Sequence, residues 1–176
     1  MRAELVRHPD FPCDAVRAIE AQVEPLGPGM LAVRFVVAGD LGRLRLQPAA
    51  APERTDELWR TTCLEAFAAD AEGDGYTEYN LAPSTRWAAY RFEGYRRGLH
   101  AAEVGPPGIV VERTAGGLDL RARLDLARPA SRLGLAAVIE ETSGRISYWA
   151  ARHPAGRPDF HHADGFALEL PPPSGA

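Results

Sequence analysis

The sequence predicts an all-β protein, an antiparallel β-sandwich of about ten strands, and three observations support that fold class. Turn-forming residues are frequent, with 17 Gly and 15 Pro among 176 residues. The apolar stretches between them are short, as strands are, and no stretch shows a convincing helical period. Apolar and polar side chains also alternate along several stretches, most regularly from Leu118 to Leu126. Alternation with a period of two is typical of a half-buried strand.

The first third of the chain predicts strands and one long loop. Ala3–His8 and Met30–Val37 have the alternation and the β-branched content of strands. Leu41–Leu46 alternates leucine with arginine, whereas Val16–Val23 fits neither period well. Gln47–Asp56 is rich in Pro and Ala without a period, and it therefore predicts a loop.

The rest of the chain predicts three hairpins and a closing strand. Thr62–Ala69 and Tyr76–Leu81 flank Gly73-Asp74-Gly75, whose residues accept the positive φ of a tight turn. Trp87–Tyr95 predicts a third, aromatic-rich strand beside them. The remaining predicted strands are Ile109–Arg113 with Leu118–Leu126, Leu133–Glu141 with Ile146–Ala151, and Phe166–Leu170.

Length and composition predict a single domain and restrict its partners. A chain of this mass buries about 70% of its surface on folding, enough for one core over residues 1–170, and the Pro-rich residues 171–176 predict a disordered tail. The net charge of −4 argues against nucleic acid or an anionic membrane as the partner. The first residues lack the apolar core of a secretory signal, so the expected location is cytoplasmic.

No catalytic motif is present. The chain has no GxSxG elbow, no GxxxxGK phosphate loop, no HExxH zinc helix and no GxGxxG after a strand. A β-sandwich without such motifs favours a binding module over an enzyme, although a fold does not decide a function.

The most informative cluster is a row of polar residues on the central hairpin. Glu65 lies on one predicted strand, Glu78 and Asn80 share a face of the next, and Trp59 precedes both. If the register aligns them, a carboxylate and an amide beside an indole suit a sugar ring, which stacks on the indole and bonds through its hydroxyls. The alternative is that the carboxylates lie on a solvated face and the indole in the core.

Four further residues are candidates for the same site. Trp87 and Arg91 share a face of the third strand, where Arg91 can hold an anionic ligand or pair with a carboxylate. Trp149 is either a second stacking platform, opposite Trp59 or Trp87, or a core residue. His161 is adjacent to His162, so only one of them can join a given site, which disfavours zinc. A histidine here is expected to cap a loop or to bond with a carboxylate, with Asp159 and Asp164 as near partners.

Together these runs resemble a known family. Leu58–Phe67, Tyr76–Pro83 and Trp87–Tyr90, with Ser147–Trp149 and Pro158–His161, resemble DOMON-like domains related to family 9 carbohydrate-binding modules, in their small stand-alone bacterial form. The resemblance implies an immunoglobulin-like β-sandwich that binds a small ligand, a sugar or haem, usually without catalysis. The expected partner is therefore a carbohydrate-like small molecule, and a protein partner is possible.

In the sugar-binding relatives, two Trp residues enclose the sugar while a Glu, an Asn and an Arg take its hydroxyls. The resemblance then assigns the carboxylate to Glu65, the amide to Asn80, the guanidinium to Arg91, and the platforms to Trp59 and Trp149. No cofactor is expected in this interpretation.

Two alternatives stay open. The haem-binding relatives use Met and His as axial ligands, which here implies Met30 with His161 or His153. The other alternative is an enzyme or accessory protein that uses Glu65, Glu78 and His161.

Overall fold

The computed structural model describes residues 1–171 and contains one antiparallel β-sheet. Three 3₁₀ turns and no α-helix occur in that range. The predicted tail lies outside the described residues, apart from Pro171. The strands are β1 Arg2–Arg7, β2 Val16–Gly27, β3 Met30–Gly39, β4 Cys63–Asp70, β5 Tyr76–Leu81, β6 Trp87–Phe92, β7 His100–Ala101, β8 Val110–Thr114, β9 Gly117–Asp125, β10 Ala130–Glu140, β11 Ile146–Ala150 and β12 Leu168–Glu169.

The sheet has two arms that meet where β11 pairs with β1. Its strand order is β7-β6-β5-β4-β10-β11-β1-β2-β3-β9-β8, and β12 pairs with β10 beside this path. The sheet curls, because one core cluster contains apolar residues from both arms, such as Phe35 and Leu120 from one and Leu64 and Leu133 from the other. All these side chains are at most 2% exposed, since alternation turns every second residue of each strand inward.

The prediction of an all-β antiparallel fold is confirmed, with twelve strands in place of about ten. The three hairpins form at the expected turns, and Gly73 and Gly144 have φ of +81° and +85° there. Val16–Gly27, the stretch without a clear period, is a long strand paired with β1 and β3.

Two predicted strands differ in the structure. Leu41–Arg43 is a 3₁₀ turn, because the Asp40 carboxylate accepts a hydrogen bond from the Gly42 N–H at 3.0 Å and bends the chain. The third predicted strand ends at Phe92 rather than Tyr95, because a tight turn follows in which Arg96 has φ of +52°.

A segment without strands follows β11 and crosses the sheet. Residues 152–166, which we call the strap, run over β4, β5 and β10 before β12 rejoins the sheet. Gly134 on β10 permits this crossing, because a Cβ there would lie 2.8 Å from the Phe166 ring. No helix among residues 1–171 has the length and apolar character needed to span a membrane.

Candidate functional site

The central hairpin presents its polar residues on the face opposite the shared core. In the observed register Glu65 lies across from Asn80, and Phe67 lies across from Glu78. Leu64, which follows the opposite alternation, is in the core. The register therefore brings Glu65, Glu78 and Asn80 together, as the polar row requires.

This face forms the floor of a pocket of about 880 Å³, with the strap as one wall. Glu65 and Glu78 are the most deeply buried charged residues of its lining, at 2% and 5% exposed, and we call their part of the pocket its inner end. Aromatic side chains form the walls, and both charged and aromatic groups line the rim. The other lining residues are Asp56, Glu57, Trp59, Arg60, Tyr90, Phe92, Arg96, Leu99, Val138, Ile146, Tyr148, Pro158, Phe160 and His161.

Glu65 is a buried carboxyl without a protein partner. The residue is 2% exposed, and its Oε1 atom has no hydrogen-bond donor. Burial raises the pKa of Glu65 well above its ordinary value, and the neighbouring Glu78 carboxyl raises it further. A buried carboxyl of this kind is costly in an unliganded protein and is typical of a functional site.

Glu78 has protein partners where Glu65 has none. The Asn80 side-chain N–H donates a hydrogen bond to Glu78 Oε1 at 2.6 Å, and the Cys63 thiol donates to Asn80 Oδ1 at 3.5 Å. Burial raises the pKa of Glu78, while the Asn80 bond and the Arg96 charge lower it in part. Asn80 is thus a positioning residue, since it holds Glu78 and is itself fully buried.

His161 is the residue of the strap that lies next to the Glu78 carboxyl. The Tyr76 hydroxyl and His161 Nδ1 share a hydrogen bond of 2.8 Å, and the other ring nitrogen, Nε2, faces Glu78. The Nε2–Oε2 distance of 3.8 Å is too long for a hydrogen bond. Burial, with the Arg96 charge, lowers the pKa of His161 to about 4, so the ring is neutral at pH 7.

Aromatic rings surround the inner end of the pocket. Phe160 on the strap lies 6.1 Å from Tyr148 of β11, measured between ring centroids. On the opposite side, Tyr90 of β6 donates its hydroxyl hydrogen bond to Asp56 at 2.7 Å. These rings exclude water from the carboxyls and leave apolar faces for a ligand.

The rim carries the one exposed tryptophan. Trp59, 45% exposed, lies on the 3₁₀ turn Leu58–Arg60, which Leu58 anchors in a small apolar cluster. Glu57, which precedes this turn, has φ of +60° and pairs with Arg60 at 2.8 Å. Left-handed backbone at a non-glycine residue is strained and recurs at binding sites. Arg96, at another point of the rim, is also left-handed.

Two of the predicted platforms lie elsewhere. Trp87 and Trp149 belong to the shared core, at 6% and 5% exposed, because their strand positions point inward. The Arg54 guanidinium covers the Trp87 ring at 4.4 Å, and the Trp149 indole N–H donates to the Ser147 hydroxyl. Of the two alternatives for Trp149 the structure shows the core one, and Trp87, predicted as a ligand-binding residue, does not line the pocket either.

Arg91 is also absent from the pocket. It shares the inward-facing alternation of Trp87 on β6, opposite to Tyr90 and Phe92, and its guanidinium forms a bidentate ion pair with Asp70. Its pairing role is therefore structural, with Asp70 rather than with Glu65 or Glu78.

The wall residues that the sequence did not single out are Tyr148 and Phe160. Tyr148 alternates with Trp149, so the strand period already placed the two on opposite faces. Phe160 lies in the strap, where no period predicts a direction.

The proposed axial haem ligands are separated. Met30, 41% exposed, begins β3 in the other arm, whereas His161 lines the pocket. His153 bonds through Nε2 to the Val6 carbonyl at 2.8 Å. Within residues 1–171, no three His, Cys, Asp or Glu side chains are arranged to hold a metal ion.

Comparison with known proteins supports the fold. No family model matches the chain, and no curated protein matches it significantly. Its fold is similar to the crystal structure of a candidate carbohydrate-binding protein from Bacteroides uniformis, with a TM-score of 0.64 and 13% sequence identity. The similarity covers 94% of this chain and 84% of the other. At this identity the likeness concerns the fold alone.

Proposed function

We propose that the protein binds a small carbohydrate or sugar derivative in the pocket beneath the strap, without catalysis. The observation that carries this proposal is that two buried carboxyls, Glu65 and Glu78, lie at the inner end of an aromatic-walled pocket, with Asn80 holding Glu78 in place. Carboxyl groups take the hydroxyls of a sugar, and aromatic faces pack on its C–H groups.

The pocket geometry agrees with a ligand of this class. Its volume of about 880 Å³ lies within the usual range for small-molecule sites. Trp59 at the rim supplies one platform, while Tyr148 and Phe160 take the place of a second tryptophan in the wall. Carboxyl groups lie at the inner end and charged side chains line the rim, so polar contacts are available to a ligand at both ends.

The similarity in fold is a second line of support for this proposal. The similar structure from Bacteroides uniformis is a candidate carbohydrate-binding protein. The finer assignment, an immunoglobulin-like sandwich of the DOMON-like group related to family 9 modules, is part of this proposal.

A thermal-melt panel tests the function. We expect one class among neutral sugars, amino sugars, uronic acids, sugar phosphates and nucleotide sugars to raise Tm. A ligand at 100 times its Kd adds about 2.7 kcal/mol, which corresponds to roughly 5–10 °C for this chain length. A panel without any shift counts against the proposal.

Trp59→Ala then localises the binding. We expect at least a tenfold loss of affinity, roughly the loss of one aromatic stacking contact, with little change in Tm. Leu26→Ala is the matched control, because Leu26 is also 45% exposed but lies on β2 outside the pocket. Equal affinity in the two variants would refute the role of Trp59.

A second function has one supporting contact. Glu65, Glu78 and His161 line the same pocket, and His161 Nε2 faces Glu78, so acid–base chemistry on the bound ligand is the alternative. Product formation during incubation with the ligand that shifts Tm would favour this alternative. Hemin in the same panel tests the haem hypothesis through a Soret band.

A further inference from the structure

The inner end of the pocket is rich in hydrogen-bond acceptors. Glu65 and Glu78 contribute four carboxyl oxygens, while few donors lie near them. Among the buried side-chain atoms of residues 1–171 that lack a hydrogen-bond partner, only Glu65 Oε1 belongs to the pocket lining.

Four side-chain donors near the carboxyls already have hydrogen-bond partners. The Asn80 amide N–H donates to Glu78, and the Cys63 thiol donates to Asn80. The Tyr76 hydroxyl bonds with His161, whose other nitrogen faces Glu78. The Tyr90 hydroxyl donates to Asp56 at the rim. None of these groups forms a hydrogen bond with Glu65, and His161 Nε2, at 3.8 Å from Glu78 Oε2, has no hydrogen-bond partner there.

The two arginines that line the pocket already form ion pairs with other carboxylates. Arg96 pairs with Asp159 at 2.8 Å, and Arg60 pairs with Glu57 at 2.8 Å. Both guanidinium groups lie at the rim with more than half of the side chain exposed. A pair of buried carboxyls therefore faces the ligand without a protein cation of its own, and such a pair either keeps a proton or gains a cation from the ligand.

We propose that the ligand carries a primary ammonium group, as an amino sugar does, and that this group sits at the inner end on Glu65 and Glu78. The inference rests on the proposed carbohydrate function. An ammonium group donates three hydrogen bonds and accepts none, which complements the unpartnered Glu65 oxygen and its neighbour. A hydroxyl in the same position donates only one, and its own lone pairs face further acceptors.

Calorimetric titration with glucosamine and galactosamine, each beside its neutral parent sugar and its N-acetyl derivative, tests the inference. We expect the free amine to bind about tenfold to a hundredfold more tightly than the neutral parent, the range of a charge-assisted hydrogen bond. Acetylation removes the charge, so the N-acetyl form should lose this advantage. The buffer must contain no amine that competes for the site.

Glu65→Gln is the discriminating variant. It keeps the size of the side chain but removes the charge, so the ratio of amine to neutral affinity should fall to about twofold or less. Glu140→Gln is the matched control, because Glu140 is also buried and its position on β10 is on the same face of the sheet as Glu65. It lies outside the pocket and pairs with Arg45. This control should keep the preference of the wild type.

The outcomes separate the two proposals. Equal affinity for amines and neutral sugars, or a preference that survives in Glu65→Gln, overturns the ammonium inference and leaves the carbohydrate function standing. Failure of every sugar to bind, with or without an amine, overturns both.

Discussion

The two arms of the sheet differ in how deeply they bury the face that points away from the shared core. In β9, Leu118, Leu120 and Leu124 are buried in the core while Asp119 and Arg121 lie on the open side. In β4, Leu64 and its alternating neighbours are also buried in the core, yet the residues on the other side are buried as well. The difference is the strap, which covers β4 and its neighbours and has no counterpart over β9 among the described residues.

The strap changes the surroundings of the carboxyl groups that it covers, compared with those on the open face. Asp119 on the open face pairs with Arg34 at 2.5 Å and with Arg121 at 2.9 Å, and the Arg34 bond lowers the pKa of that carboxyl. Glu65 and Glu78 on the covered face have no arginine partner, and burial raises the pKa of both. The strand carboxylate on the open face is thus neutralised by arginine, whereas the two buried pocket carboxyls have no such partner.

Phe67→Ala should have the largest effect, because it removes the contact between the strap and the floor. Phe67 is 1% exposed and its ring stacks on Phe166, with His161 at 5.3 Å between centroids. Truncation of a buried Phe costs about 3–5 kcal/mol. Chemical denaturation should show that loss, and a loss below about 1 kcal/mol would mean that the strap is held by its polar contacts alone.

Glu65→Gln should raise stability at high pH. A folded-state pKa above the unfolded value means that the folded protein favours the proton. The corresponding stability is present below the unfolded pKa and is lost as pH rises through the folded pKa. The variant cannot ionise, so its Tm should exceed that of the wild type by more at pH 8 than at pH 5. The pKa of Glu78 is also raised in the folded protein, so part of the pH dependence of stability should remain in the variant. The same Tm difference between variant and wild type at pH 5 and at pH 8 would contradict the raised pKa of Glu65.

Asp119→Asn should have the smallest effect. The Arg34 side chain is 40% exposed, and ion pairs on an open face contribute little. We expect Tm at pH 7 to fall by about 2 °C or less at low salt. Because salt screens exposed charges, the difference from the wild type should shrink in 1 M salt. A larger fall that salt does not reduce would place this pair in a buried environment.

The sequence by itself determined the alternation along each strand and therefore the two sets of faces. Glu78 with Asn80, Trp87 with Arg91, and Tyr148 opposite Trp149 all follow from a period of two. The turns around Gly73 and Gly144 were equally predictable, because positive φ there selects glycine. What alternation cannot state is which face is buried against the core, and this is why Trp87 and Trp149 could be taken for platforms.

Only the tertiary structure decided that the polar face of β4 and β5 is covered. The register that places Glu65 opposite Asn80 depends on pairing between strands, and a shift of one residue would reverse it. The strap has no hydrophobic period, so its course is set by contacts with distant residues, Tyr76 for His161 and Phe67 for Phe166. Those contacts bury Glu65 and Glu78, and they also form the pocket.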